Sequence, residues 1–144
     1  VIVLDVNVVL AAHRDAHPHH LVARGWLEEV LASGESFGVP SSVWASFLRL
    51  ATNRKVFSPP TSLADGFAFV RQVQAQQGYV AVEPGTRHRV IFERICTESG
   101  ALGDLLPDAY LAAIAIENGA ELASFDRDFA RIPGLRWTVP ELRA

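Results

Sequence analysis

Cysteine and methionine are nearly missing from this chain: Cys96 is the one cysteine, and there is no methionine at all. A single thiol cannot form an internal disulfide, which fits a reducing cytoplasm as the expected location. No apolar run approaches the roughly 18–20 residues that a membrane span needs. No basic segment leads into an apolar one at the start, so no signal peptide is expected. Gly-rich phosphate loops and nucleophile elbows are absent, which excludes P-loop and serine-hydrolase readings. An excess of positive charge is missing too: 13 Lys and Arg stand against 16 Asp and Glu, a net charge of −3. That lacks the basic footprint of many nucleic-acid binders, although bound divalent cations would offset acids locally. There is also no repeat, low-complexity tract or linker. With 144 residues, 49% of them hydrophobic, the chain suits one domain over residues 1–144 around one core.

What is present begins with Val1-Ile-Val-Leu-Asp-Val-Asn7. An unbroken apolar run into an acid reads as a strand buried on both faces, as in the middle of a parallel sheet. Asp5 marks its carboxyl end, where open α/β sheets bind ligands. Asn7 shares its side if the chain stays extended. The plainer reading is that Asp5 caps the following helix. A short helix is predicted from Val8 to His13 and a longer one from Pro18 to Ser33, stopped by Gly34. Phe37-Gly-Val39, Tyr79-Val-Ala-Val82, Glu121 to Phe125 and Leu135 to Thr138 are the further strand candidates. Helices are predicted after Pro40, from Leu63 to Gln77, from Thr86 to Ser99 and from Asp104 to Asn118, with a short helical turn from Arg127 to Ala130. Strands alternating with helices imply an α/β fold, three layers deep (α/β/α), with a mostly parallel sheet of about five strands.

Carboxylates gather at few places. Asp5 ends the first strand, and Asp126 ends the fourth with Asp128 two residues on. Asp104 and Asp108 open one helix and are expected to face the same way, a turn apart. If Asp5, Asp108 and Asp126 meet, each pair repels by about 4 kcal/mol at ~4 Å and an effective dielectric of ~20. Shared protons or a bound cation would relieve this. Hard oxygen donors favour Mg²⁺ or Mn²⁺, which points to phosphodiester hydrolysis. Taken singly, each acid also reads as a helix cap or a favourable first-turn residue.

Asp5-Val-Asn7, Leu106-Pro-Asp-Ala-Tyr-Leu-Ala-Ala113 and Ser124-Phe-Asp-Arg-Asp-Phe129 together resemble the PIN domain, and most closely the VapC-type toxins of bacterial VapBC toxin–antitoxin pairs. Ala51-Thr-Asn-Arg-Lys-Val-Phe57 and Phe129-Ala-Arg-Ile-Pro-Gly-Leu135 extend the likeness over nearly the whole chain. The resemblance implies a Mg²⁺-dependent endoribonuclease that cuts RNA of the tRNA or rRNA class and arrests translation. It also implies products with a 5′-phosphate and a 3′-hydroxyl, a homodimer, and a VapB-type antitoxin that inhibits the site. It assigns metal binding to Asp5, Asp108 and Asp126, with Asn7 orienting the first. Two positions depart from the family. Val6 stands where Thr or Ser is common, which removes a hydroxyl. Ser46 stands where the third helix commonly carries Glu. Asp104 is the expected substitute acid, with Asp128 the weaker candidate. The rival reading is a PIN-like module that has lost catalysis with that Glu and only binds RNA or an antitoxin.

Other residues carry weaker signals. Arg49, Arg54 and Lys55 suit phosphate contacts or a solvated helix end equally, and Arg127 a phosphate clamp or an ion pair. His13, His17, His19 and His20 cluster without a zinc spacing, so a solvated helix start is the favoured reading. Trp26, Trp44 and Trp137 read as core or interface before base-stacking platforms.

Overall fold

The computed structural model describes residues 1–141. Its centre is a four-stranded sheet in the order β2-β1-β3-β4: β1 (Ile2–Leu4), β2 (Phe37–Gly38), β3 (Glu121–Ala123) and β4 (Trp137–Thr138). All three pairings are parallel, with Val3 opposite Gly38 on one side and Leu122 on the other. A strand paired on both edges and covered on both faces has to be apolar throughout. Ile2, Val3 and Leu4 are accordingly all buried.

Six helices flank the sheet: α1 (Val6–His13), α2 (His20–Ser33), α3 (Ser41–Ala51), α4 (Leu63–Gln74), α5 (His88–Ser99) and α6 (Leu106–Glu117). Local chemistry sets their ends. Asp5 Oδ1 accepts the Val6 N–H, so helix α1 begins at once and not at Val8. Gly34 ends α2 in the left-handed conformation at φ 75°. Ser62 caps α4 through the Asp65 N–H. Helix α6 has no polar face over most of its length; Ala112, Ala113 and Ala115 are fully buried, and their small side chains let it lie close to β3.

The strand expected at Tyr79–Val82, third in chain order, is reduced to a single bridge. Tyr79 pairs with Phe37, the Val80 N–H donates to the Phe37 carbonyl at 2.8 Å, and the segment then leaves the sheet edge. The reason lies at Gly38. A Cβ there would sit 2.5 Å from both Val80 O and Val82 Cγ2, so this stretch folds over the bare glycine and buries Val82 instead of continuing the ladder. The last strand is also shorter than expected, limited to Trp137–Thr138. The short turn after Asp126 is a 3-10 helix, Arg127–Arg131. Among the described residues, no helix is long and apolar enough to cross a membrane.

Candidate active site

The strand order reverses between β1 and β3: from β1 the chain runs outward to β2, and from β3 outward to β4 in the opposite direction. Parallel sheets open a crevice beyond the carboxyl ends at such a point. Asp5 follows β1, and Ser124 and Asp126 follow β3, so both acids rise from that crevice. The first turn of α6 brings Asp108 over it.

Asp5 is 8% exposed and held from two sides. Its Oδ1 accepts the Val6 N–H at 2.7 Å, and its Oδ2 accepts the Ser124 hydroxyl at 2.7 Å. Ser124 is wholly buried and is the hub of the site. Its Oγ also accepts from Asn7 Nδ2 at 3.0 Å and from the Asp126 N–H at 3.0 Å. Asn7 Oδ1 accepts the Phe125 N–H at 3.2 Å. The indole N–H of Trp137 donates to the Ser124 carbonyl at 3.0 Å, fixing the strand from behind. Asn7 therefore does join Asp5's surroundings, but from the first turn of α1 and not from an extended chain. Ser124 is the residue that sequence reasoning assigned no part. The available signal was a lone hydroxyl between an apolar strand and an acid.

Asp108, Asp126 and Asp128 each present a carboxylate oxygen within 4.8 Å of the others. Asp108 is half-buried, and its pKa is pushed up to about 6, first by burial and then by the charges of Asp126, Asp5 and Asp128. Burial likewise raises Asp5 above the ordinary carboxylate range, against its two hydrogen bonds, and Asp126 adds repulsion. The capping role of these acids is also real: Asp126 Oδ1 accepts the Asp128 N–H at 2.9 Å.

Asp104 departs from expectation. It lies on a separate exposed 3-10 turn, Gly103–Leu105, ahead of the helix, and is not among the charges that act on Asp108. Residues 103–105 wind as a 3-10 turn before α6 begins, and this tighter winding takes Asp104 off the α-helical register with Asp108 that the spacing assumes. Asp128 occupies the fourth acidic place instead. Ser46, on α3, lines a cleft of about 250 Å³ together with Asp5, Asp108, Tyr110 and Arg49. Arg54 and Lys55 are exposed beyond the end of α3.

His17 and His19 lie ring beside ring at 5.8 Å, while His13 and His20 bond elsewhere. His20 is buried, with Nδ1 at 2.8 Å from the Ala11 carbonyl. His13 reaches Thr61 Oγ1 at 3.1 Å, and burial lowers its pKa. Among the described residues no histidine belongs to a metal-sized cluster. Trp44 is buried and bonded to the Tyr79 hydroxyl at 3.1 Å, and Trp26 packs half-buried against the core.

The site chemistry is thus an oxygen-only set of hard, mutually repelling donors at a sheet switch point. Such a set fits a hard divalent cation. A PIN-domain model matches residues 2–135 of the chain. The chain belongs to the PIN-domain family. Within it, ribonuclease VapC25 of Mycobacterium tuberculosis is 50% identical over 139 residues, covering 96% of this chain and 98% of the relative. Ribonuclease VapC43 of the same species is 42% identical, covering 95% and 93%. At this identity the chain stands among the VapC-type PIN proteins. Two solved structures share the fold. VapBC2 of Rickettsia felis, bound to a promoter DNA fragment, has a TM-score of 0.72 at 18% identity over 96% of this chain and 97% of that one. The sarcin-ricin-loop-cleaving toxin VapC20 of M. tuberculosis has a TM-score of 0.65 at 15% identity over 94% and 99%.

Proposed function

We propose that this VapC-type PIN protein is a divalent-cation-dependent endoribonuclease toxin, using Mg²⁺ or Mn²⁺, whose RNA substrate is of the tRNA or rRNA class. The observation that carries the reading is the convergence of Asp5, Asp108, Asp126 and Asp128 on one crevice, with Asp108 raised to about 6 by burial and then by the charges of the other three. VapC ribonucleases at 50% identity over nearly the full chain support it.

Asp5, Asp108 and Asp126 would hold the cation, with Asp128 in place of a fourth acid. When bound, that cation supplies charge stabilisation on the phosphate and an activated water. The chain's own residues do the positioning. Ser124 and the Val6 N–H fix the Asp5 carboxylate, and Asn7 ties the end of β3 to α1. Arg49, in the same cleft as Asp108, is placed to take a phosphate oxygen of the RNA. Cleavage would leave a 5′-phosphate and a 3′-hydroxyl. A VapB-type antitoxin as inhibitor, supported by fold neighbours solved as VapBC complexes, and a homodimeric assembly complete the proposal.

A second reading has one observation in its favour: Ser46 faces the acid cleft without a charge. On that reading the chain binds RNA or an antitoxin and does not cut. The test is RNA cleavage by the purified chain, with and without chelator, beside Asp5→Asn. Chelator-sensitive cleavage that disappears in Asp5→Asn is expected. Binding without cleavage in the unaltered chain selects the second reading, and cleavage by Asp5→Asn rejects the acid-site assignment.

A further inference from the structure

Three aromatic rings stand in a row beside Asp126. Phe125 immediately precedes that acid, and the His19 ring lies on it with centroids 4.5 Å apart and planes at 13°. His17 flanks His19 at 5.8 Å with its plane tilted by 39°, so it does not stack on that ring, and its Nδ1 accepts the His19 N–H at 3.0 Å. The row borders an open cavity of about 590 Å³, lined by His19, Val22, Phe125, Arg127, Pro140 and Glu141.

A structural explanation for His19 is weak. It occupies the N-cap position of α2, where Ser, Thr, Asp or Asn would satisfy the helix, and it makes no capping bond. It is exposed and lines the cavity beside Phe125 and Arg127, the two residues that flank Asp126 in the chain. Arg127 is exposed beside it and has no ion pair among the described residues. Glu141 in the same lining repels phosphate but can accept N–H groups from a base edge. Aromatic faces with a neighbouring cation, next to a phosphate-cutting centre, are the chemistry of single-stranded nucleic-acid capture.

We propose that the His17–His19–Phe125 row is a nucleobase subsite, in which an unpaired base near the cut phosphate stacks on His19 while Arg127 takes an adjoining backbone phosphate. This rests on the ribonuclease reading above and adds to it where a base beside the scissile bond is held.

The test uses full-length Asp5→Asn protein as a cleavage-deficient parent and a short fluorescent single-stranded RNA, followed by anisotropy. Adding His19→Ala weakens binding roughly tenfold. Adding His19→Phe preserves binding, because a flat ring is what the site requires. With an RNA whose bases are replaced by abasic ribose, the difference between the parent and His19→Ala disappears. Equal RNA affinity for the parent and His19→Ala overturns the proposal, even if the variant melts at a lower temperature, since that marks a purely structural stack. An undiminished difference on abasic RNA overturns it as well, as does failure of the parent to bind RNA. Cleavage by the unaltered chain is scored separately. If it cuts nothing while the stacking signature persists, the ribonuclease reading fails and the base subsite stands.

Discussion

The hydroxyl of Ser124 donates to Asp5 Oδ2 at 2.7 Å across 119 residues of sequence, and the same oxygen accepts the backbone N–H of Asp126 at 3.0 Å. One buried atom thereby sets the separation between two acids that repel each other.

Replacing Ser124 by Ala strands a buried carboxylate oxygen, the Asn7 amide and the Asp126 N–H. The expected cost in stability is about 1–3 kcal/mol, measured by urea unfolding. RNA cleavage is expected to fall about 10–100-fold, as when a group orienting a metal ligand is lost. Unchanged cleavage in Ser124→Ala would show that Asp5 needs no such support.

Asp128 and Asp104 should separate cleanly. Asp128→Asn removes a charge from the cluster and is expected to weaken Mn²⁺ binding by about tenfold, because affinity follows the ligand charge count. Asp104→Asn is expected to change it by less than about twofold, like other exposed substitutions away from the site. Calorimetric titration of both variants decides, and the reverse order would return Asp104 to the site.

The raised carboxylates give the ligand-free protein a defined pH dependence. Asp108 moves from an ordinary 3.8 to about 6 on folding. A folded-state pKa above the unfolded one contributes stability that is complete below the unfolded value and is lost as pH rises through the folded value. Asp5, raised by burial, acts with the same sign. The ligand-free protein should therefore lose stability from these groups between about pH 4 and 7. A cation that prefers the ionised form should restore more at pH ~7.5 than at pH ~5. Thermal melts with and without Mn²⁺ at the two pH values test this, and an equal gain at both would contradict it.

Gly38 should resist enlargement. Its backbone has an ordinary conformation, but an added Cβ meets Val80 O and Val82 Cγ2 at 2.5 Å, and one of these is backbone. Gly38→Ala is expected to destabilise by about 1–3 kcal/mol, with the segment around Val82 displaced from the sheet edge. Hydrogen exchange at the Val80 N–H, which donates to Phe37 at 2.8 Å, provides the local readout.

Much of this architecture was legible in one dimension. The apolar run into Asp5 announced a central parallel strand, because only a strand covered on both faces tolerates Ile2, Val3 and Leu4 in succession. The near-continuous apolar helix α6 announced its own burial, and Asp108 and Asp126 were visible as acids at element ends. Tertiary structure decided the rest. Whether Asp104 or Asp128 joins the other acids depended on the 3-10 turn Gly103–Leu105, whose winding replaces the α-helical spacing that periodicity assumes. Whether Tyr79–Val82 forms a strand depended on the space over Gly38, a contact between segments distant in sequence. The partnership of Ser124 with Asp5 came from parallel pairing of β1 with β3. Residue types and their local order determine which elements form and which groups can carry charge. Only the packing of those elements brings particular oxygens within hydrogen-bonding or metal-binding distance, because such distances are set by contacts that run across the chain and not along it.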